Sequence, residues 1–346
     1  AELLDLLDTV VEQHLIADVP IGLLLSGGLD SSFVGALARK RGALRSIAMG
    51  FARSGLDERR EARRAAEAIG TEHEEVLIEP EEVAAEVERA AFVFDDLFGD
   101  WGTISTRVLY RRCRERGVRV ALVGEGSDEL FAGYTRFERT DRRGDLRSTF
   151  RRYQAFSSRR WGGLFGKFRR ALQELAPDGN LFEATRRFET RRQLPNHYVM
   201  KVDKASMSVS LEARAPYLDR RVARLALTTP GRNLQADGKN KLVLRRAAEI
   251  SGLLPASVTW RPKLGGSMPA SWLDEVPAFR EFARQVVLER SGFCDRLGLR
   301  RPMERYFAGV ATGDPWPLAL AHYGVLAWRL LLLELWSRTY LRRSAA

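Results

Sequence analysis

The sequence predicts an α/β fold: a doubly wound parallel sheet with a largely helical C-terminal part. Short apolar runs bounded by turn residues alternate with segments of helical periodicity through residues 1–137, the pattern of strands joined by crossover helices. Two of these runs open directly into turns rich in glycine and carboxylate, at 26–32 and 124–129. From about residue 138 the pattern is mostly helical.

The elements follow in order. Leu3, Leu4, Leu7, Val10, Val11 and Leu15 recur at helical spacing, which predicts a helix over 2–16. Pro20 stops it, and the apolar run 21–25 reads as a buried parallel strand. A glycine turn follows, then a helix through Phe33, Val34, Leu37 and Ala38. Strands are expected at 46–51, 73–78 and 118–123, and helices at 58–69, 81–94 and 103–116. There is no internal repeat and no low-complexity linker.

Composition bounds the rest. The chain has 346 residues, 45% hydrophobic and 29% charged, which is enough apolar material for a large core. Its two cysteines, Cys113 and Cys294, form no CxxC pair, so neither a zinc site nor a disulfide framework is indicated. The most apolar stretch, 318–336, is interrupted by His322, Arg329 and Glu334. It reads as a buried helix, not a membrane span. The net charge of +11 includes an arginine cluster over 139–192, interleaved with Phe150, Tyr153, Phe156, Trp161, Phe165 and Phe168. Such a stretch can bind RNA, an anionic surface or a partner, but solvated helix faces with inward aromatics are the preferred reading. The first residue is Ala1, so the chain is expected to begin inside a longer precursor or to have been trimmed.

The segment Leu25-Ser26-Gly27-Gly28-Leu29-Asp30-Ser31-Ser32 carries the clearest chemistry. Two glycines allow a tight turn and close approach to an anion. The following helix offers unpaired N–H groups and the positive end of its dipole. Serine hydroxyls add donors, completing a cradle for phosphate oxygens. Asp30 would repel phosphates unless it holds Mg²⁺. The pattern lacks the lysine of GxxxxGK[ST], so it suits pyrophosphate retention better than transfer of a γ-phosphoryl group.

The second segment, Gly124-Glu125-Gly126-Ser127-Asp128-Glu129, also follows a strand. Ligands bind at the carboxyl ends of strands in open α/β sheets, so Asp128 is expected to join Asp30 on the metal. Three carboxylates within five residues need cations or charged ligands nearby. Lys241, opening a helix, and Lys263, in the Arg261-Pro262-Lys263-Leu264-Gly265 loop, are the candidates to neutralise departing pyrophosphate.

Taken together, SGGLDSS at 26–32, GEGSDELFAGY at 124–134, LEARAPYLD at 211–219, KLVLR at 241–245 and RPKLG at 261–265 resemble the synthetase domain of glutamine-dependent asparagine synthetases. The resemblance covers nearly the whole chain. It implies a single domain over 1–346 of the PP-loop ATP-pyrophosphatase (adenine nucleotide alpha hydrolase-like) type, with a nucleotide-binding part at 1–137 and a mainly helical part at 138–346. It implies ATP and Mg²⁺, with an acid activated as an acyl-adenylate and passed to ammonia; aspartate would give asparagine.

By position, Leu25, Ser26, Gly27, Gly28, Leu29, Asp30, Ser31 and Ser32 resemble the pyrophosphate loop, and Asp30 and Asp128 the metal ligands. Met49, Gly50 and Phe51 match the adenine-pocket strand, Gly124 lies near the nucleotide, and Lys241 matches a phosphate-contacting lysine. Glu125 resembles the glutamate that takes a proton from ammonia, and Lys263 the transition-state cation. Glu129 and Lys201 fall where the amino-acid substrate is expected. A tyrosine stands at the Glu125 position in the related β-lactam synthetases, so the carboxylate favours amide formation with an external amine.

The chain also departs from the pattern. Val123 replaces a frequent serine, Ala132 a frequent glycine, and Leu97 a frequent proline. Lys201 occurs in some branches where others carry arginine. No N-terminal catalytic cysteine of a glutaminase domain is present. Ammonia is therefore expected from a glutaminase domain or subunit outside this chain, or from solution. A cytoplasmic location and a homodimer fit the resemblance, while nucleic acid is not expected as a partner. The alternatives are a tailoring enzyme that amidates or cyclises another acid, and an RNA-modifying PP-loop enzyme.

Overall fold

A computed structural model describes residues 1–52, 57–100, 102–137, 162–175, 178, 180–262, 272–289, 292–309 and 320–341. Within them lies one five-stranded sheet. Its strands are β1 (Ile21–Leu24), β2 (Arg45–Phe51), β3 (Glu72–Ile78), β4 (Val120–Leu122) and β5 (Glu212–Arg214), in the order β3-β2-β1-β4-β5. All four pairings are parallel. The first four strands stand where apolar runs predict them, within two residues at their ends. The fifth has no such run. Its three residues pair with β4, and the ladder is closed at its ends by Glu212 N donating to Arg119 O (2.8 Å) and Val123 N to Arg214 O (2.9 Å).

Helices α1 (Glu2–His14), α2 (Leu29–Arg39) and α3 (Arg59–Ile69) share one core with Leu23, Leu25 and the helix Leu242–Ser251. Helices α4 (Pro80–Phe94) and α5 (Gly102–Glu115) share a second core with Ile47, Val76, Trp272 and Trp328. The sheet is thus covered on both faces, as parallel sheets require. α3 ends at Gly70, whose φ of 79° closes the last turn. The apolar C-terminal stretch forms a helix, Leu320–Tyr340. Its fully buried Glu334 accepts a bond from Phe293 N at 2.8 Å. Among the described residues no helix is long and apolar enough to cross a membrane. Cys113 and Cys294 are buried.

From β1 the chain moves outward through β2 to β3, whereas β4 adds on the other side of β1. The switch point lies between β1 and β4, where Leu23 is level with Leu122. The loops leaving these two strands therefore emerge side by side, at the place where open α/β sheets bind ligands.

Candidate active site

The first loop is shaped by packing from below. Leu25 N bonds to Ile47 O at 2.9 Å, keeping the chain in the sheet up to Ser26. Gly27 then turns with φ at 69° and passes over the start of α3. A Cβ there would lie 2.4 Å from the carbonyl carbon of Glu61, so only glycine fits. Ser26 N donates to Ser31 Oγ at 3.1 Å, Gly28 N donates to Ser26 Oγ at 3.3 Å, and the two hydroxyls lie 3.1 Å apart. The loop is held as a ring around the N-terminus of α2. Ser26 is exposed and Gly28 half-buried, whereas Leu25, Leu29 and Ser31 are buried behind them. Ser32 is fully buried, and its Oγ has no hydrogen-bond partner among the described residues.

The second loop delivers its carboxylate to the same spot. Gly124 is half-buried against the first turn of α2. Ser127, opening the short helix α6 (Ser127–Leu130), donates through Oγ to Asp30 Oδ1 at 2.7 Å. Lys241 Nζ lies 2.6 Å from both oxygens of Asp30 and 2.7 Å from Asp128 Oδ1. Asp30 and Asp128 are thus brought together, around the ammonium of Lys241. Burial alone would lower the Lys241 pKa, but Asp128 and Asp30 outweigh it and hold the ammonium above its ordinary value. Convergent carboxylates beside a phosphate-type loop suit Mg²⁺, a hard cation that prefers oxygen ligands, and the ammonium already marks a cation position between them.

Met49, Gly50 and Phe51 close β2, where Phe51 packs edge-on against Trp272 at 5.7 Å and Gly50 lies against the Asp57–Arg59 ion pair. Lys263 lies outside the described residues, as does most of the arginine-rich stretch from 138 to 161. Arg261, at the start of the RPKLG segment, reaches Ser26 O at 3.4 Å and Glu58 Oε1 at 3.5 Å.

Beyond α6 lies a second polar cluster. Glu129 is buried and accepts from Tyr134 Oη at 2.5 Å. Burial, with the Asp128 charge beside it, pushes its carboxyl up to about 7. Tyr134 stacks on Tyr198 at 5.9 Å, and Arg136 lies over the Tyr134 ring at 3.9 Å. Arg136 also pairs with the fully buried Glu189 at 2.7 Å. Glu189 to Val199 forms a π-type helix containing Pro195, a geometry that recurs at functional sites. It delivers His197, Tyr198 and then Lys201 toward the second loop.

Lys201 Nζ donates to Asp100 Oδ2 at 2.9 Å, and His197 Nε2 lies 3.0 Å from the same oxygen. Gly102 N donates to Asp100 Oδ1 at 2.8 Å. Burial would raise the Asp100 carboxyl, but these partners overcome it and hold it well below the carboxylate range. Burial would likewise depress Lys201; the charges of Asp100 and then Glu125 reverse that. Half-buried Glu125 is thus close enough for its charge to be felt by both Lys201 and Glu129. Sequence reading missed Asp100, His197, Tyr198, Tyr134, Arg136 and Glu189. Tyr134 closes the GEGSDELFAGY segment and Arg136 follows it; the others show only a single acid between glycines at 99 and 102 and a cluster of aromatics and charges near Pro195.

The fold is of the PP-loop ATP-pyrophosphatase type: a parallel sheet whose switch point carries a phosphate-type loop and two convergent carboxylates. The family model for asparagine synthase matches residues 2–338, and the chain belongs to that family. It is 29% identical to asparagine synthetase [glutamine-hydrolyzing] 1 of Bacillus subtilis, over 83% of this chain and 52% of the relative. Identity is also 29% to a putative asparagine synthetase [glutamine-hydrolyzing] of Mycobacterium tuberculosis H37Rv, over 99% of this chain and 58% of the relative. Asparagine synthetase B [glutamine-hydrolyzing] of Escherichia coli is 27% identical over 84% and 48%. The chain spans about half the length of these curated relatives.

Proposed function

We propose that this chain is an ATP-dependent amide ligase that activates the side-chain carboxylate of aspartate and transfers it to ammonia, giving asparagine, AMP and pyrophosphate. The observation that carries the reading is the convergence of Asp30 and Asp128 at 2.6–2.7 Å from one ammonium, beside the glycine loop. In the first step the acid's oxygen attacks the α-phosphorus and the bond to pyrophosphate breaks. The loop over 26–28, with its serine hydroxyls and the N-terminus of α2, holds the phosphates in place. Mg²⁺, when bound by Asp30 and Asp128, neutralises charge on the leaving pyrophosphate. Lys263 supplies a further cation to the transition state.

In the second step the ammonia nitrogen attacks the acyl carbon, AMP leaves, and Glu125 takes the proton shed by nitrogen. Glu129 and Lys201 line the acceptor side. Ammonia comes from a glutaminase domain or subunit outside this chain, in keeping with the glutamine-hydrolysing names of its relatives. A second reading is amidation or cyclisation of another acid. It is favoured by Asp100, whose bond to Lys201 at 2.9 Å draws on the positive charge that a second carboxylate of the acceptor would need.

ATP–pyrophosphate exchange across a panel of acids, followed by product analysis with ammonia and glutamine as donors, separates the two. Aspartate-stimulated exchange with asparagine formed from ammonia is the expected result. Exchange indifferent to aspartate but stimulated by another acid overturns the aspartate assignment in favour of the second reading.

A further inference from the structure

Lys241 is a cation in a place made for a metal. Its ammonium touches three carboxylate oxygens, two of Asp30 at 2.6 Å and one of Asp128 at 2.7 Å. Its side chain is only 5% exposed. The backbone beneath it is braced: Lys241 sits at φ 54°, Lys241 O accepts from Arg245 N at 2.9 Å, and Asn240 Nδ2 donates to Gly133 O at 2.8 Å. Gly133 roofs the contact so tightly that a Cβ there would lie 2.0 Å from both Asp128 Oδ1 and Lys241 Cε.

Two charges of one sign cannot share this space. Mg²⁺ needs oxygens at about 2.0–2.1 Å, and a lysine ammonium against the same oxygens blocks that approach and repels the ion. Without either cation, the half-buried Asp30 and Asp128 would face each other uncompensated.

We propose that Lys241 is an exchangeable cation. In the nucleotide-free chain it occupies the position between Asp30 and Asp128 and excludes free divalent metal. When metal arrives together with nucleotide phosphates, the ammonium gives up the carboxylates and turns to the phosphate oxygens. The metal and its counter-charge then enter as one unit. This rests on the proposed reading of Asp30 and Asp128 as metal ligands.

The test is Mn²⁺ binding, followed by the electron-spin signal of the free ion, with and without a non-hydrolysable ATP analogue. Wild type should bind Mn²⁺ weakly alone and tightly with the analogue. Lys241→Met should bind Mn²⁺ alone at least about tenfold more tightly than wild type, because the competing charge is gone. Adding Asp30→Asn to it should remove that gain. Lys241→Gln, which keeps hydrogen-bond donors, replaces Lys241→Met if circular dichroism shows the latter unfolded. Equal nucleotide-free affinity in wild type and variant overturns the exchange and leaves the ligase reading intact. Absence of Mn²⁺ binding in wild type even with the analogue overturns both, because the metal assignment itself then fails.

Discussion

The phosphate-type loop and the acceptor-side cluster lie next to each other but are built in opposite ways. The loop is one contiguous segment whose polar groups are largely backbone amides and serine hydroxyls, tied within residues 26–31. The cluster draws Asp100, Glu129, Tyr134, Arg136, Glu189, His197 and Lys201 from three separate stretches, and it is held by side-chain charges. A loop of the first kind is rigid because the chain beneath it cannot move. A cluster of the second kind is rigid only while its charges balance. The difference predicts that the loop fails by steric overlap and the cluster by loss of a partner.

The largest effect should come from the loop. Gly27→Ala forces a Cβ into the backbone of α3 and strains a left-handed φ. We expect a loss of about 2–4 kcal/mol of stability in urea unfolding, together with loss of pyrophosphate exchange. Near-wild-type stability and exchange would show that the loop can shift away from α3.

Asp100→Asn should be milder and selective. It leaves the Lys201 ammonium without its closest counter-charge, at a cost of about 1–3 kcal/mol. The KM for the acceptor acid should change while that for ATP stays near wild type. An equal change in both would mean that the cluster and the loop are coupled.

The smallest effect is a difference in acid response. His73, in β3 level with Ser46 of β2, has its pKa lowered mainly by burial, and its Nδ1 lies 2.8 Å from Ser46 Oγ. The unfolded imidazole therefore binds a proton that the folded one refuses, and stability falls as pH drops below about 6.5. Asp100 is also depressed, so its contribution is present above about pH 3.9 and is lost only below that. Hydrogen exchange on lowering pH should therefore open β3 before the segment around Asp100. Simultaneous opening would make the two regions one cooperative unit.

Much of the loop was legible because its function needs a fixed local order. Glycines at the turn, a helix start and Asp30 in its first turn must follow one another along the chain, whatever the rest of the protein does. The pairing of Asp30 with Asp128 was legible one step further, since both follow buried strands and a parallel sheet brings strand ends to one edge. β5 and the Asp100–His197–Lys201 triad were not. A three-residue strand of Glu212, Ala213 and Arg214 has no apolar period to read. Asp100 and Lys201 are 101 residues apart and meet only through packing around the π-type helix.

The sequence by itself therefore determined the alternation of strands and helices, the composition of the phosphate-type loop and the presence of a second carboxylate turn, because each depends on neighbours in the chain. Only the tertiary structure decided that Lys241 rests between Asp30 and Asp128, and that Lys201 is claimed by Asp100. Those choices follow from burial, which leaves no charge without a partner and lets the fold select which one it finds.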